Sequence, residues 1–157
     1  MKFAADSSIL ARLYLDEDGA PEIERFLAEG NKTLGVSELA RIEVLNILLR
    51  FPELGAVARF GQELKDGSQL RMDRVDWHTA FQQAESLAHR FSKTLKPGGH
   101  DLVLVAAAVT SGATWFLSLD RASCQRALAA SAGLKVWPPL DSDEKGLVRH
   151  AARRSAA

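Results

Sequence analysis

Short apolar segments alternate along the chain with longer segments in which apolar side chains recur every three or four positions. The clearest of the longer segments spans residues 77–91, whose apolar positions form one stripe of a helix. The short segments have the length of buried strands; they are residues 2–5, 33–36, 115–119 and 134–137, with 70–75 as a weaker strand or an extended connector. This alternation predicts a compact three-layer α/β/α domain around a short, mainly parallel sheet.

Local signals set the limits of the other helices. Pro21 is suited to begin a helix, and Ser37 is a natural N-cap for a helix over residues 38–50. Further helices are predicted through residues 9–14 and at residues 53–65, 102–109 and 121–131, with a loop at residues 93–100. The apolar run 102–109 is also compatible with a strand, but its alanines and the Ser111-Gly112 stop favour a helix.

Length and composition indicate one globular domain. The chain has 157 residues, of which 46% are hydrophobic and 25% charged, values ordinary for a water-soluble protein. We expect a domain over residues 1–140 and a basic tail over residues 141–157 that is peripheral or flexible. Basic and acidic residues both number 20, so the net charge neither supports nor excludes a nucleic-acid partner.

Cysteine use and hydropathy bear on the compartment. The chain has one cysteine, Cys124, which excludes an internal disulfide and fits a reducing environment. Its charged N-terminal segment does not resemble a signal peptide, and no apolar run approaches the length of a membrane span. We therefore expect a cytoplasmic protein without a membrane partner.

Four acidic residues occupy positions at which an α/β sheet commonly carries chemistry. Asp6 and Asp120 each follow a predicted strand, and ligands of open α/β sheets bind outside the carboxyl ends of the strands. Asp101 opens the helix at 102–109, and Glu43 lies on a partly apolar face of the helix at 38–50. Ordinary roles remain open for all four, because an aspartate before a helix is a favoured N-cap and Glu43 could pair with an arginine.

Convergence of these carboxylates would create a metal site. If the strands ending at residues 5 and 119 are parallel neighbours, Asp6 and Asp120 end at the same edge, where the helices bearing Asp101 and Glu43 can also point. Four carboxylates repel one another unless a cation neutralises them or some are protonated. Oxygen donors of this kind suit Mg²⁺ or Mn²⁺, which can orient and ionise water for in-line displacement at phosphorus. The pattern predicts nuclease chemistry.

The order of these motifs resembles the PIN domain family, specifically the VapC-type toxins of toxin–antitoxin pairs. The resemblance spans most of the chain and rests on five motifs: Asp6-Ser7-Ser8, Ser37 with Glu43 in RIEVLN, Asp101 in DLVLVAAAV, Ser118-Leu119-Asp120, and the closing GLKVWPP. It implies a PIN-like fold and a Mg²⁺- or Mn²⁺-dependent endoribonuclease. It also implies that Asp6, Glu43, Asp101 and Asp120 form the acidic quartet that binds the metal.

The same resemblance implies partners and supporting residues. The substrate would be RNA, the protein partner a cognate antitoxin, and the chain a homodimer. Ser118 stands where a Thr is common in the family, and we expect Ser118 and Ser8 to support the site. Apart from the resemblance, Arg121 directly follows Asp120, so it could bind an RNA phosphate or be an ordinary exposed side chain. His100 is expected to be a solvated loop residue without a role; the alternative is a phosphate contact beside Asp101. The alternative function is a non-catalytic PIN-like module that binds protein or RNA.

Overall fold

The computed structural model describes residues 1–15 and 18–155, and in these residues five short strands form one parallel sheet. The strands are β1 (Phe3–Ala5), β2 (Leu34–Val36), β3 (Leu70–Met72), β4 (Trp115–Leu117) and β5 (Lys135–Trp137). Their order across the sheet is β3-β2-β1-β4-β5, with every neighbouring pair parallel. The chain therefore starts in the middle of the sheet, adds β2 and β3 on one side of β1, and then crosses over to add β4 and β5 on the other side.

Helices cover both faces of this sheet. The first group is α1 (Ser7–Leu15), α2 (Ala20–Ala28), α3 (Glu38–Leu48) and α4 (Ala56–Asp66), and the second is α5 (Trp77–Leu95), α6 (Gly99–Thr110), α7 (Gln125–Ser131) and α8 (Ser142–Ser155). Contacts between helices run mainly within each group. Right-handed crossovers put the connections to β2 and β3 on one face and those to β4 and β5 on the other. The predicted three-layer α/β/α fold is confirmed.

Packing of helices on both faces of the sheet explains why strands of only three residues can form the centre of the domain. All residues of β1 and β2 are buried, since helices pack on both faces. Large side chains, including Phe60, Phe91 and Phe116, fill the layers above and below the strands. In α6 the successive residues Ala106, Ala107 and Ala108 are all buried, which lets this helix approach its neighbours closely. The short central strands bring the segments at their ends into a small region.

Several predicted boundaries were wrong, and two of them show clear physical reasons. The loop predicted at residues 93–100 is largely helical, because the buried stripe of α5 continues from Leu87 and Phe91 to Leu95. Lys96, with a left-handed φ of 49°, ends this helix, and α6 begins at Gly99. The helix predicted at 53–65 is divided at Gly55, whose φ is 61°, into the 3₁₀ turn Pro52–Leu54 and α4.

The C-terminal segment is helical as far as residue 155, while residues 156 and 157 lie outside the described part of the chain. Helix α8 packs against α5 and α7, and its Ala151 is fully buried. The sequence suggested a peripheral or flexible tail; the described part of this segment forms a helix at the edge of the domain, and the domain division at residue 140 stays a prediction. Across residues 1–15 and 18–155, no helix has both the length and the hydropathy needed to cross a bilayer.

Candidate active site

The carboxyl ends of β1 and β4 bring Asp6 beside Ser118. Ala5 pairs with Leu117 in the parallel ladder, and the next backbone N–H, that of Asp6, donates to the Leu117 carbonyl at 3.1 Å. At this point the Ser118 hydroxyl donates to Asp6 Oδ2 at 2.6 Å. Ser118 Oγ also lies 3.2 Å from Gln125 Oε1, but its single proton favours the shorter contact. Two residues far apart in sequence therefore form one buried hydrogen-bonded pair.

The other carboxylate oxygen of Asp6 caps helix α1. Asp6 Oδ1 accepts hydrogen bonds from the backbone N–H groups of Ser8 and Ile9 at 3.0 and 3.2 Å, and from the Ser8 hydroxyl at 2.6 Å. Ser8 Oγ in turn accepts from the Leu119 backbone N–H at 2.8 Å. Asp6 is thus an N-cap, which is one of the roles that the sequence allowed for it. Ser8 and Ser118 hold the carboxylate from two directions.

Burial changes the acidity of Asp6. Only 3% of the residue is exposed, and burial raises the pKa of its carboxyl from 3.8 to about 6, against hydrogen bonds from Ser118, Ser8 and Ile9 that lower it. The four hydrogen bonds that the Asp6 carboxylate accepts therefore do not fully offset the free-energy cost of burying its negative charge. A cation at this position would favour the charged form.

Asp120 lies two residues beyond Ser118, in the turn that leads to α7. Its backbone N–H donates to Ser118 Oγ at 3.1 Å. Asp120 Oδ1 accepts from the N–H groups of Ala122 and Ser123, at 2.9 and 3.2 Å, and Oδ2 accepts from the Ser123 hydroxyl at 3.0 Å. This capped turn takes up residues 121–124, so α7 begins four residues later than predicted. Asp6 and Asp120 are thus joined through Ser118.

Glu43 lies in the second turn of α3 and contacts a residue of the opposite helical layer. Its Oε1 is 2.8 Å from His100 Nε2, near the start of α6. Its Oε2 is buried and has no hydrogen-bond partner. The interpretation of His100 as a loop residue was wrong, since it is the second residue of α6 and contacts one of the predicted acids, but its side chain is 46% exposed, as expected of a solvated histidine.

Asp101 is the third residue of α6 and accepts a hydrogen bond from the Gly98 N–H through Oδ2 at 3.0 Å. Helix α6 ends beside the start of β1, where the Thr114 hydroxyl donates to the Lys2 carbonyl at 3.1 Å. Because the helix runs back along the sheet, its first turn lies at the carboxyl edge. Asp101 is therefore at the same edge as Asp6, and also serves as a cap.

The four acids occupy one edge of the sheet as two groups. Asp6 and Asp120 are linked through Ser118, and Glu43 is linked to the first turn of α6, which bears Asp101. In residues 1–15 and 18–155, no three His, Cys, Asp or Glu side chains lie close enough to hold a metal ion together. The predicted convergence of all four on one ion therefore stays a prediction.

The chemistry of the donors nevertheless fits a divalent cation. All candidate ligands are carboxylate oxygens, the donors that Mg²⁺ prefers, and Mg²⁺ commonly uses only one or two of them together with water and substrate phosphates. The unpaired Glu43 Oε2 and the buried carboxylate of Asp6 are both groups that a cation would stabilise. The residues present are therefore compatible with such an ion at this edge.

A buried arginine, Arg126, binds the backbone of a residue in the site. Arg126 is 1% exposed, and its guanidinium donates to the Ser118 carbonyl, to Pro138 O at 2.8 Å and to Glu144 Oε1 at 2.6 Å. It thereby connects α7, α8 and the residue that holds Asp6. Sequence reasoning missed this residue, because a basic residue in a helix is usually exposed.

Arg121 is placed differently from the expectation of a substrate-binding residue. Its Nη1 pairs with Asp141 Oδ2 at 3.1 Å, and both side chains are substantially exposed. Asp141 Oδ1 also accepts from the Glu144 backbone N–H at 2.9 Å, at the start of α8. Such an exposed ion pair is weak, so Arg121 is not prevented from binding another anion.

The model of the PIN domain family matches residues 4–131, which include all four acids. The chain belongs to the PIN domain family. PIN domains generally bind divalent metal ions, and membership supports a nuclease function. The match ends before α8, which is additional to the matched region. A search of curated proteins finds no match to the chain.

Solved structures share the fold of this PIN domain. VapBC2 from Rickettsia felis, crystallised with a fragment of its promoter DNA, has 16% identity and a TM-score of 0.62 over 87% of this chain and 97% of that chain. Mycobacterium tuberculosis VapC20, described as a sarcin–ricin loop cleaving toxin, has 17% identity and a TM-score of 0.61, covering 86% and 98%. PAE2754 from Pyrobaculum aerophilum has 19% identity and a TM-score of 0.51, covering 97% and 96%. At these identities the likeness concerns the fold.

Proposed function

We propose that this PIN domain is a Mg²⁺- or Mn²⁺-dependent endoribonuclease, the toxin of a type II toxin–antitoxin pair. The observation that carries the proposal is the buried carboxylate of Asp6, which lies at the carboxyl edge of the sheet with three further acids of the family pattern. Support also comes from the fold shared with VapBC2 and with a toxin named for cleaving the sarcin–ricin loop. The RNA target is not part of the proposal.

In the proposed reaction, Asp6, Glu43, Asp101 and Asp120 hold the divalent ion. A bound ion of this kind activates water and stabilises the charge that develops on a phosphodiester during in-line attack. Ser8 and Ser118 orient the Asp6 carboxylate through hydrogen bonds of 2.6 Å each. Arg121 leaves its exposed pair with Asp141 and contacts an RNA phosphate.

The proposed partners are an antitoxin and a second copy of the chain. Between the middle of α3 and the end of the following 3₁₀ turn, four apolar side chains are exposed by 40% or more of their surface: Ile42, Leu49, Phe51 and Leu54. Apolar side chains exposed as a group commonly mark a protein interface. With RNA as substrate and an antitoxin as partner, we place the protein in the cytoplasm.

One observation favours a second candidate function, a non-catalytic module that binds protein or RNA. Asp6, Asp101 and Asp120 each accept hydrogen bonds from backbone N–H groups of a helix start or turn. Aspartates placed in this way stabilise the fold without any metal ion. A cleavage assay separates the two functions.

The proposed nuclease is tested with purified full-length chain, labelled single-stranded and stem-loop RNAs, and either Mg²⁺ or EDTA. We expect cleavage only with Mg²⁺, and a rate at least about 100-fold lower for Asp6→Asn, since a lost metal ligand removes several kcal/mol of transition-state stabilisation. Asp66→Asn is the matched control, because Asp66 is exposed at the end of α4. RNA binding without cleavage would favour the non-catalytic module, and equal cleavage by all variants would indicate a contaminating nuclease.

A further inference from the structure

The contact between His100 and Glu43 joins the two helical layers across the carboxyl edge of the sheet. Glu43 belongs to α3 on one face and His100 to α6 on the other, and their side chains meet at 2.8 Å. The contact sets a ring nitrogen of His100 against a carboxylate oxygen, and it is an ion pair when His100 is protonated; the His100 side chain is 46% exposed and that of Glu43 30%. Asp101 follows His100 directly, and the contact thereby fixes Glu43 relative to the helix that bears Asp101.

Glu43 depends on such a contact more than the other three acids do. Asp6, Asp101 and Asp120 have short side chains, each held by a backbone N–H of the adjoining helix start or turn. Glu43 has a longer side chain in the body of a helix, and the contact that orients it comes from another element. Without that contact, its carboxylate is free to turn toward solvent, because the side chain is 30% exposed.

The surroundings of the second carboxylate oxygen of Glu43 indicate the role of this side-chain orientation. Oε2 is buried without a hydrogen-bond partner, an unfavourable state for a carboxylate oxygen. The contact of His100 with Oε1 favours this position of Oε2. In metal sites, donors that bond the second atom of a ligand orient that ligand, and removing them commonly weakens metal affinity or activity 10–100-fold.

We propose that His100 is a positioning residue that holds Glu43 so that Oε2 is available to a divalent cation; this rests on the proposed metal-dependent function. His100 acts through Glu43 and does not itself touch the ion or the RNA. The match to the family model includes His100. Family membership does not by itself account for its contact with Glu43, because that contact depends on how α3 and α6 approach each other in this chain.

The test is calorimetric titration of Mn²⁺ alone into the purified full-length chain. We expect His100→Ala to bind Mn²⁺ about 10-fold more weakly than wild type. His100→Gln should retain most of the affinity, because its amide N–H reaches a similar position. His89→Ala is the matched control: His89 also lies near a glutamate, Glu85, at 4.0 Å, but both side chains are more than three-quarters exposed. It should bind Mn²⁺ as wild type does.

A double-mutant cycle distinguishes positioning from a general structural role. Glu43→Ala should itself weaken Mn²⁺ binding, and adding His100→Ala to it should change the dissociation constant less than about twofold, since the residue through which His100 acts is gone. In RNA cleavage, His100→Ala should lower kcat and raise the Mg²⁺ concentration needed for half-maximal rate, with KM for RNA unchanged. Thermal unfolding of each variant checks that it is folded.

Different results overturn different parts of the account. Equal Mn²⁺ affinity of wild type and His100→Ala, an equal loss in His100→Gln and His100→Ala, or additive losses in the double variant would each overturn the role of His100 while leaving the nuclease in place. A raised KM for RNA with unchanged Mn²⁺ affinity would instead make His100 a substrate contact. Absence of Mn²⁺ binding to wild type would overturn the metal-dependent function and, with it, this inference.

Discussion

Replacing Asp6 with asparagine is expected to stabilise the metal-free protein at pH 7.5 by about 2–3 kcal/mol, although it should abolish cleavage. Burial raises the pKa of Asp6 from 3.8 to about 6, so the folded protein binds this proton more tightly than the unfolded chain. The stability contributed by protonated Asp6 is fully present below pH 3.8 and is lost as the pH rises through 6. A difference of about two pKa units corresponds to roughly 3 kcal/mol.

Asparagine fits the hydrogen bonds of this position without a charge. Its Oδ1 can accept from Ser8 and Ile9, as Asp6 does, and its Nδ2 can donate to Ser118 Oγ. The Ser118 hydroxyl is then free to donate to Gln125 Oε1, now 3.2 Å away. The substitution therefore removes the cost of a buried charge and leaves at most one polar group, the second N–H of the new amide, without a partner.

Urea unfolding in EDTA measures this effect. The difference in free energy of unfolding between Asp6→Asn and wild type should be largest at pH 7.5 and small near pH 4, whereas Asp66→Asn should show no such difference. Adding Mg²⁺ should stabilise wild type and not Asp6→Asn, because only a protein that binds the ion gains from it. A variant that is less stable than wild type at pH 7.5 in EDTA would contradict the role of burial at Asp6.

Replacing Arg126 with methionine is expected to destabilise the fold by about 3–5 kcal/mol, the cost of leaving one partner of a buried ion pair unpaired. Its guanidinium pairs with Glu144 of α8, whose side chain is 13% exposed, and bonds the carbonyls of Ser118, Pro138 and Pro139. Methionine occupies similar space but bonds none of these groups. Because Ser118 donates a hydrogen bond to Asp6, loss of the Arg126 contact with Ser118 should also disturb the position of Asp6 in the candidate active site.

Urea unfolding of two further variants, beside Arg126→Met itself, tests this network. Arg153→Met, an exposed position on α8, should leave stability nearly unchanged. The double variant Arg126→Met, Glu144→Leu should recover part of the loss, because both buried charges are then removed. A loss below about 1 kcal/mol for Arg126→Met would show that α8 is not held to the domain through this pair.

Local sequence signals predicted the parts of this protein in which neighbouring residues decide the structure. The carboxyl ends of β1, β2 and β5, the N-cap at Ser37 and the placement of Asp6 and Asp120 at one edge follow from buried runs, capping residues and parallel pairing. Strand β4, by contrast, ends at Leu117 and not at the predicted residue 119. The end of α5 was missed, because the charged residue Lys93 between Phe91 and Leu95 suggested that the buried stripe had ended.

Contacts between layers could not be predicted from the sequence in the same way. His100 and Glu43 are 57 positions apart and meet only because α3 and α6 start at the same edge of the sheet. Arg126 and Glu144 lie on separate helices, and neither segment signals burial, since each mixes charged and small residues. The edge at which the acids lie was predictable, but the side chains that orient them were not.

The measurement that tests the central claim most directly is a crystal structure of the full-length chain grown with Mn²⁺, read by anomalous scattering. We expect a peak at the carboxyl edge, with oxygens of Asp6 and at least one of Glu43, Asp101 and Asp120 at about 2.1 Å, the distance typical of such ions. Asp120 and Asp101 would turn from their backbone N–H groups to reach it. If Asp6, Asp101 and Asp120 keep those bonds and no peak lies near them or near Glu43 at saturating Mn²⁺, the three aspartates are helix caps and the metal-dependent nuclease is contradicted.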